Sequence, residues 1–434
     1  MKKWMTGALL VLLAAPLHAQ VLRIEITQGV SGALPVAVVP FAWDGAGAQP
    51  IDASAVIAAN LQRSGRFRLF PEADMVDRPT EAARVNFQTW RAFGVDNLVI
   101  GRVRQTSPGN HALQFQLFDV LRGQQLLGYS IPTSATNLRR AAHIASDMIY
   151  EQLTGERGAF ATRIAFINAT RTAEVSSYVL FVADADGENQ QVVVRSPEPL
   201  MSPAWSPDGR RLAYVSFENR RPEVFVQELA TGTRERVSAL GEGVNGAPAW
   251  SADGRRLALA LNEGARVNIY VLDMETRRHT RVTNGSAIDT EPVFSADGRF
   301  IYFTSDRGGQ PQIYRAAVDG DSRAQRVTFE GNYNARPALS PDGRLLAVVN
   351  GNDRRFRIGL YDLETGAFRL LSDGRFDESP SFAPNGRLVI YATEDRGTGV
   401  LATVSVDGRV RQRLGLAQGD VREPAWSPYT DATR

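Results

Sequence analysis

Apolar and polar positions divide the chain into two rhythms. Between residues 34 and 155, apolar runs alternate with segments of helical spacing. Residues 34–41 are almost wholly apolar and predict a strand buried on both faces. Residues 52–62 predict a helix with Asp52 as N-cap and Gly65 beyond its end, and residues 80–93 predict a second helix. Between them, residues 66–70 alternate as a strand. Residues 97–104, 112–120 and 125–131 predict a three-strand meander, and Asn137 is placed to cap a long helix over 138–153 that Gly155 ends. The expectation is an α/β domain over 34–155, a mixed five-stranded sheet with helices, linked by 156–161 to an all-β remainder.

That remainder is periodic. Pro203, Pro248, Pro292, Pro337, Pro380 and Pro424 recur at intervals of 45, 44, 45, 43 and 44 residues. Each opens a copy of one phrase, first seen as Pro203-Ala-Trp-Ser-Pro-Asp-Gly-Arg210. A period of this length made of short strands is the pattern of a β-propeller with one four-stranded blade per repeat. Pro203 suits the first residue of a strand, where no ladder N–H is needed. The segment Ser206-Pro207-Asp208-Gly209 is a tight turn with Gly at the φ > 0 position, and 211–216, 223–229 and 234–238 supply three further strands. The last copy stops at Tyr429 and provides one strand, whereas 163–168, 178–183 and 191–195 provide three with no phrase before them. Five full blades and one blade split between the two ends make a closed six-bladed ring over 162–430. Closure removes the sheet edges that invite aggregation.

Residues 1–19 predict a cleavable secretory leader: Lys2 and Lys3, an apolar centre over 9–15, and Leu17-His18-Ala19 before Gln20. The apolar run is too short to span a bilayer, so the mature chain is expected to be soluble and exported, without inserting into a membrane. In the segment 20–33, Leu22, Ile24 and Ile26 alternate with Arg23, Glu25 and Thr27, and Gly29 and Gly32 then interrupt. This reads either as a first strand of the domain's own sheet, or an edge strand, or as a detachable strand for a partner's sheet edge with the glycines as hinge. Cysteine is absent, which excludes disulfides and thiolate metal sites. Lys2 and Lys3 are the only lysines, so losing the leader takes the net charge from +2 to 0. Net charge therefore offers no case for nucleic acid as partner.

Catalytic chemistry is poorly represented. His111, His143 and His279 are far apart in sequence, and no nucleophile elbow, phosphate loop or dinucleotide fingerprint occurs. Asp184-Ala-Asp186-Gly187 hints at a calcium loop but lacks its ligand spacing and reads as a hairpin turn. No cofactor is expected, and no enzymatic activity. The triplets before the prolines should share one rim of the central channel: Asn245-Gly246-Ala247, Asp289-Thr290-Glu291, Asn334-Ala335-Arg336, Asp377-Glu378-Ser379 and Val421-Arg422-Glu423. No two match, which suits a protein surface or extended peptide better than a symmetric ligand. The Asn and Asp at the first triplet position would also serve as turn braces. The acidic members Asp289, Glu291, Asp377, Glu378 and Glu423 could together hold a divalent cation at the channel mouth. Alternative readings are a metal-dependent propeller hydrolase, which would need ligands converging in the channel, and a carbohydrate- or peptidoglycan-binding propeller using the repeated aromatics.

The repeated phrase, Thr304-Ser-Asp-Arg-Gly-Gly-Gln-Pro-Gln-Ile-Tyr314, Asn245-Gly-Ala-Pro248, Pro424-Ala-Trp-Ser-Pro-Tyr429 and the 34–41 strand resemble the TolB family of periplasmic Tol–Pal components. The resemblance covers the whole chain, and the order of leader, α/β domain and six PD40-type blades makes it specific. It implies a non-enzymatic, monomeric scaffold serving outer-membrane integrity and cell division. It further implies that the lipoprotein Pal binds the rim, at Asn245, Gly246, Ala247, Asp289, Thr290, Glu291, Asn334, Arg336, Asp377, Glu378 and Glu423. TolA would bind the N-terminal segment through Val21, Leu22, Arg23, Ile24, Glu25, Ile26 and Thr27.

Overall fold

The computed structural model describes residues 24–26, 32–171, 176–238, 245–263, 266–320, 323–352, 354–416 and 419–430. The leader and Val21, Leu22, Arg23 and Thr27 of the N-terminal segment lie outside the described residues.

In the α/β domain the sheet runs Phe67–Leu69, Leu34–Val38, Asn97–Ser107, Asn110–Asp119, Gln124–Ser134, and Ala42–Asp44 also pairs with Asn97–Ser107. The first pairings are parallel and the meander is antiparallel. The sheet therefore has six strands, not five, because the 34–41 run breaks around Pro40 and resumes as Ala42–Asp44. Pro40 has no N–H to give the ladder, so pairing lapses there, whereas Pro35 is tolerated at the start of Leu34–Val38.

Helix α1 (Ala53–Arg63) starts where expected, with the Asp52 carboxylate accepting from Ala55 N at 3.0 Å. The predicted helix over 80–93 is corrected to a 3-10 turn, Ala82–Arg84, and a six-residue α2, Phe87–Ala92. Asn86 causes the break: its side chain accepts from Gln88 N and Thr89 N at 3.1 and 3.3 Å, which needs an extended backbone at the cap. Helix α3 (Leu138–Thr154) ends at left-handed Gly155, as expected, but the Asn137 side chain makes no capping bond. Helices α1 and α3 bury Ile57, Leu61, Leu138, Ala142 and Ile149 against one face of the sheet, and Trp90 of α2 covers the other.

The remainder is a ring of six antiparallel blades. Blade one is split: Gln191–Ser196, Ser176–Asp184 and Arg163–Arg171 come from one end of the ring sequence, Asp420–Trp426 from the other. Trp426 Nε1 donates to Thr162 Oγ1 at 2.8 Å, and Ser427 N donates to Arg163 O at 2.8 Å, fastening the closure. Neighbouring blades are joined by a repeated device. Arg163, Arg211 and Arg256, each at the start of a second strand, stack over Trp205, Trp250 and Phe294 of the next blade, at 4.9, 4.7 and 5.5 Å from the ring centres. Trp205 and Trp250 in turn donate their indole N–H to the carbonyls of Ala425 and Ala204 in the preceding blade.

The α/β domain rests on the propeller face that carries the Asp-Gly turns, at blades one and six. Arg387 Nε donates to Glu156 Oε2 at 2.8 Å, Asn385 Nδ2 donates to Arg157 O at 3.3 Å, and Arg157 stacks on Tyr429 at 3.8 Å. The linker itself is tied to α3, because the Asp147 carboxylate accepts from Phe160 N and Ala161 N at 2.7 and 3.0 Å. The opposite face, where the inner strands begin, is left uncovered by the domain.

Candidate functional site

On that open face the residue before each repeat proline is left-handed. Ser202, Ala247, Glu291, Arg336, Ser379 and Glu423 have φ of 52, 49, 54, 52, 54 and 50°. Such values cost a non-glycine residue strain of about 1 kcal/mol each. Every inner strand also shifts register at this point. The six positions are thus one recurring bulge, and a bulge re-aims its side chain. All six line a small cavity of about 140 Å³ together with their prolines.

Arg336 occupies the mouth of the channel. Its guanidinium lies 3.1 Å from Glu291 Oε1 and 3.4 Å from Glu423 Oε1, and it also donates to Ser379 Oγ. Glu291 is held further, its Oε2 accepting from Thr304 Oγ1 at 2.7 Å and from Arg336 N at 2.9 Å. Glu423 accepts from Ser202 N. Burial pulls the Arg336 pKa down, but Glu423, Glu291 and Glu378 outweigh it and raise it above the ordinary value. The acidic rim proposed for a divalent cation is therefore furnished with a guanidinium. Among the described residues, the group of His and carboxylate side chains close enough to share an ion lies elsewhere, at His143, Asp184 and Asp186.

The structure sorts the expected rim residues into two layers. Asp289, Asn334 and Asp377 are buried and held by hydrogen bonds, Asp289 within its own blade and Asn334 and Asp377 partly to the blade before. Asp289 takes both terminal contacts from Arg307 Nη2, at 2.9 and 2.8 Å. Asn334 binds Gln312, Glu330 O and Asn350. Asp377 accepts from Ser372 Oγ and Thr393 Oγ1 at 2.5 Å and from Gly374 N at 3.0 Å. These three brace the rim from beneath. Ala247, Thr290, Glu291, Arg336, Glu378 and Glu423 remain partly accessible, Gly246 contributes backbone, and the Asn245 side chain lies outside the described residues.

Sequence reasoning missed the apolar members of this face. Ile288, Phe329 and Phe376 are 52, 68 and 42 % exposed. Phe376 stacks on Phe356, and Phe356 packs edge-on against Tyr333. A signal was present: four residues before the repeat proline stand Ile288, Tyr333 and Phe376, apolar positions immediately before a polar brace.

The N-terminal segment is docked through Ile24–Ile26, which pairs antiparallel with Val410–Arg413 and makes blade six five-stranded. It does not join the domain's own sheet; of the expected placements the structure shows the edge strand, on blade six. Val410 also meets the α/β domain: a Cβ on left-handed Gly65 would overlap its side chain. The strand thus lies on the blade edge beside the junction of the two domains.

Comparison with known proteins follows the same division. The family described as the TolB beta propeller domain matches residues 150–430, and the TolB amino-terminal domain matches residues 22–126. The chain belongs to the TolB family. It is 55 % identical over 434 residues to the Tol-Pal system protein TolB of Thioalkalivibrio sulfidiphilus, covering 99 % of each chain. The protein of the same description from Xanthomonas euvesicatoria pv. vesicatoria is 49 % identical over 435 residues, again with 99 % of each covered. The crystal structure of TolB from Acinetobacter baumannii superposes with a TM-score of 0.86 at 39 % identity, covering 94 % of this chain and 100 % of that one.

Proposed function

We propose that the protein is a periplasmic, non-enzymatic scaffold of a Tol–Pal system that supports outer-membrane integrity and constriction during division. It holds Pal on the channel-mouth face and TolA through the N-terminal segment. The observation that carries this reading is the open mouth face: exposed Ile288, Phe329 and Phe376, on the consecutive blades four to six, accompany an ion-paired, polar centre on the side of the propeller that the α/β domain leaves free. Large exposed apolar side chains gathered beside fixed charges are what a protein partner uses as anchors and register. The N-terminal strand has a second contribution. While Ile24–Ile26 is paired with Val410–Arg413 one of its backbone edges is occupied, so a TolA strand that pairs through that same edge competes with docking. If Pal favours the docked arrangement, each partner changes the affinity for the other by the same factor.

Calorimetry of the mature chain with the soluble domain of Pal tests the first part. One-to-one binding is expected, with Ala247→Arg plus Thr290→Arg weakening it at least tenfold; unchanged affinity in that double variant removes the mouth from the proposal. Deleting residues 21–32 should abolish TolA binding and preserve Pal binding, and retained TolA affinity overturns the second part.

A further inference from the structure

We propose that the mouth-face end of blade five is a docking site for an acidic segment of a protein partner, a reading that rests on the mouth face being the partner surface. The hairpin joining Leu345–Asn352 to Arg355–Asp362 brings Arg354, Arg355 and Arg357 to that end, and the loop after Phe368–Leu370 brings Arg375. Arg354, Arg355 and Arg375 are exposed and Arg357 is partly buried. Among the described residues, none of these guanidiniums makes an ion pair. The nearby carboxylates are engaged elsewhere. Asp373 pairs with Arg411 at 2.5 Å, Asp377 is held by Ser372, Thr393 and Gly374, and Glu291, Glu378 and Glu423 are grouped around Arg336. Four guanidiniums against Glu330 and Asp353, the other acidic residues of these loops, leave an excess of two positive charges.

Arg357 also sets this blade apart from its neighbours. Strand pairing makes it the equivalent of Glu223 in blade two, Asn268 in blade three and Gln312 in blade four. Glu223 pairs with Arg221 and Arg236, and Gln312 accepts from Thr328 and Asn334. In blade five the position holds a cation, and no acceptor meets its buried Nε. The blade thus carries a charge that its own bracing residues leave unanswered.

Beside these guanidiniums lies a fixed aromatic platform. Phe376 is 42 % exposed and stacks on Phe356 at 6.3 Å, and Phe356 meets Tyr333 edge-on at 5.4 Å. The Arg375 guanidinium lies over the Phe376 ring at 5.1 Å from its centre. A guanidinium stacked on a ring still presents N–H donors at its rim, in the fork that a carboxylate accepts. Phe356 N donates to Arg375 O at 2.9 Å and Asp377 N donates to Phe356 O at 2.8 Å, so the loop is fastened to the strand before any partner arrives. Unanswered guanidiniums around an exposed ring fit carboxylates set beside an apolar side chain, the chemistry of an acidic loop or peptide.

The test follows association of the mature chain with the soluble domain of Pal by stopped flow, and binding of a labelled octaglutamate peptide by fluorescence anisotropy. Raising the salt from about 0.02 M to about 0.5 M should slow Pal association about tenfold. Arg354→Gln, Arg355→Gln and Arg375→Gln together should slow it about tenfold at low salt, with dissociation changed far less, and should abolish peptide binding. All three side chains are exposed, so the Tm should not move. Arg68→Gln with Arg104→Gln, exposed positions on the α/β domain, controls for a general loss of charge. Loss of peptide binding in the triple variant sustains the site whether or not Pal binds, which separates this inference from the Pal reading. A wild type that shows neither salt-dependent association nor peptide binding, a triple variant that retains both, or an equal loss in the control pair overturns the proposal. Phosphatidylglycerol vesicles bound more tightly than the peptide, and released by the triple variant, would assign the arginines to a lipid surface and overturn it as well.

Discussion

Arg336 draws together two carboxylates that would otherwise repel one another across the channel mouth. Its backbone is left-handed, so the fold accepts local strain to place this one guanidinium between Glu291 and Glu423. Both carboxylates are partly buried, at 25 and 11 % side-chain exposure. Arg336→Met leaves them desolvated and unpaired, and should cost about 1–3 kcal/mol. Urea unfolding reads this as a lower midpoint at unchanged slope. Adding Glu423→Gln should restore part of the loss, because the two substitutions act on one interaction. At this scale the sequence was only partly readable. The triplets placed Glu291, Arg336 and Glu423 on one rim, since equivalent positions in equivalent repeats must share a ring. The left-handed turn that aims them inward, and the pairing of one blade's cation with two other blades' anions, are long-range consequences of closure that no single repeat encodes. His143 makes the same point: it is 41 and 43 residues from Asp184 and Asp186 in sequence, and only the docking of α3 on blade one brings them together.

Between elements, the departures among the repeats turn out to be informative. Arg163, Arg211 and Arg256 precede blades with Trp205, Trp250 and Phe294, whereas the equivalent positions in blades five and six hold Leu345 and Leu388. The stacked guanidinium covers the indole and shields it from water, adding about 0.5–1 kcal/mol beyond the area buried. Trp250→Ala should therefore cost about 3–5 kcal/mol and Arg211→Ala about 1 kcal/mol. The decisive measurement is the cycle: in a Trp250→Leu background the Arg211→Ala effect should largely vanish, and an undiminished effect would assign Arg211 a role unrelated to the ring. Asn385, which replaces the turn aspartate of the other copies, is explained the same way. Its amide donates to Arg157 O in the linker, a bond a carboxylate cannot make. Periodicity made the blades and long helices readable from the sequence, because many positions repeat the same signal. The short α2 and the break at Pro40 were not, since one capping side chain or one missing N–H decided each.

For the whole molecule the critical feature is that the ring is closed by its own two ends. Asp420–Trp426 completes blade one by pairing with Arg163–Arg171, and Trp426 packs with Ile164, Phe166, Ala183 and Leu388 in the core shared by blades one and six. The same region carries the α/β domain, through Glu156 with Arg387 and through Arg157 with Tyr429. Ring closure and domain attachment therefore depend on one short C-terminal strand. Removing residues 420–434 should leave an open edge on Arg163–Arg171 and empty the Trp426 site. Exposed edges template pairing with other chains, so the truncated protein should unfold at a markedly lower temperature and form oligomers, seen by size-exclusion chromatography. Adding a peptide of residues 420–430 in trans should restore the monomer, because that peptide replaces the missing strand and its indole together. A truncated chain that stays monomeric with its full Tm would mean that the blades hold one another without closure, and that the split blade is a convenience of chain routing.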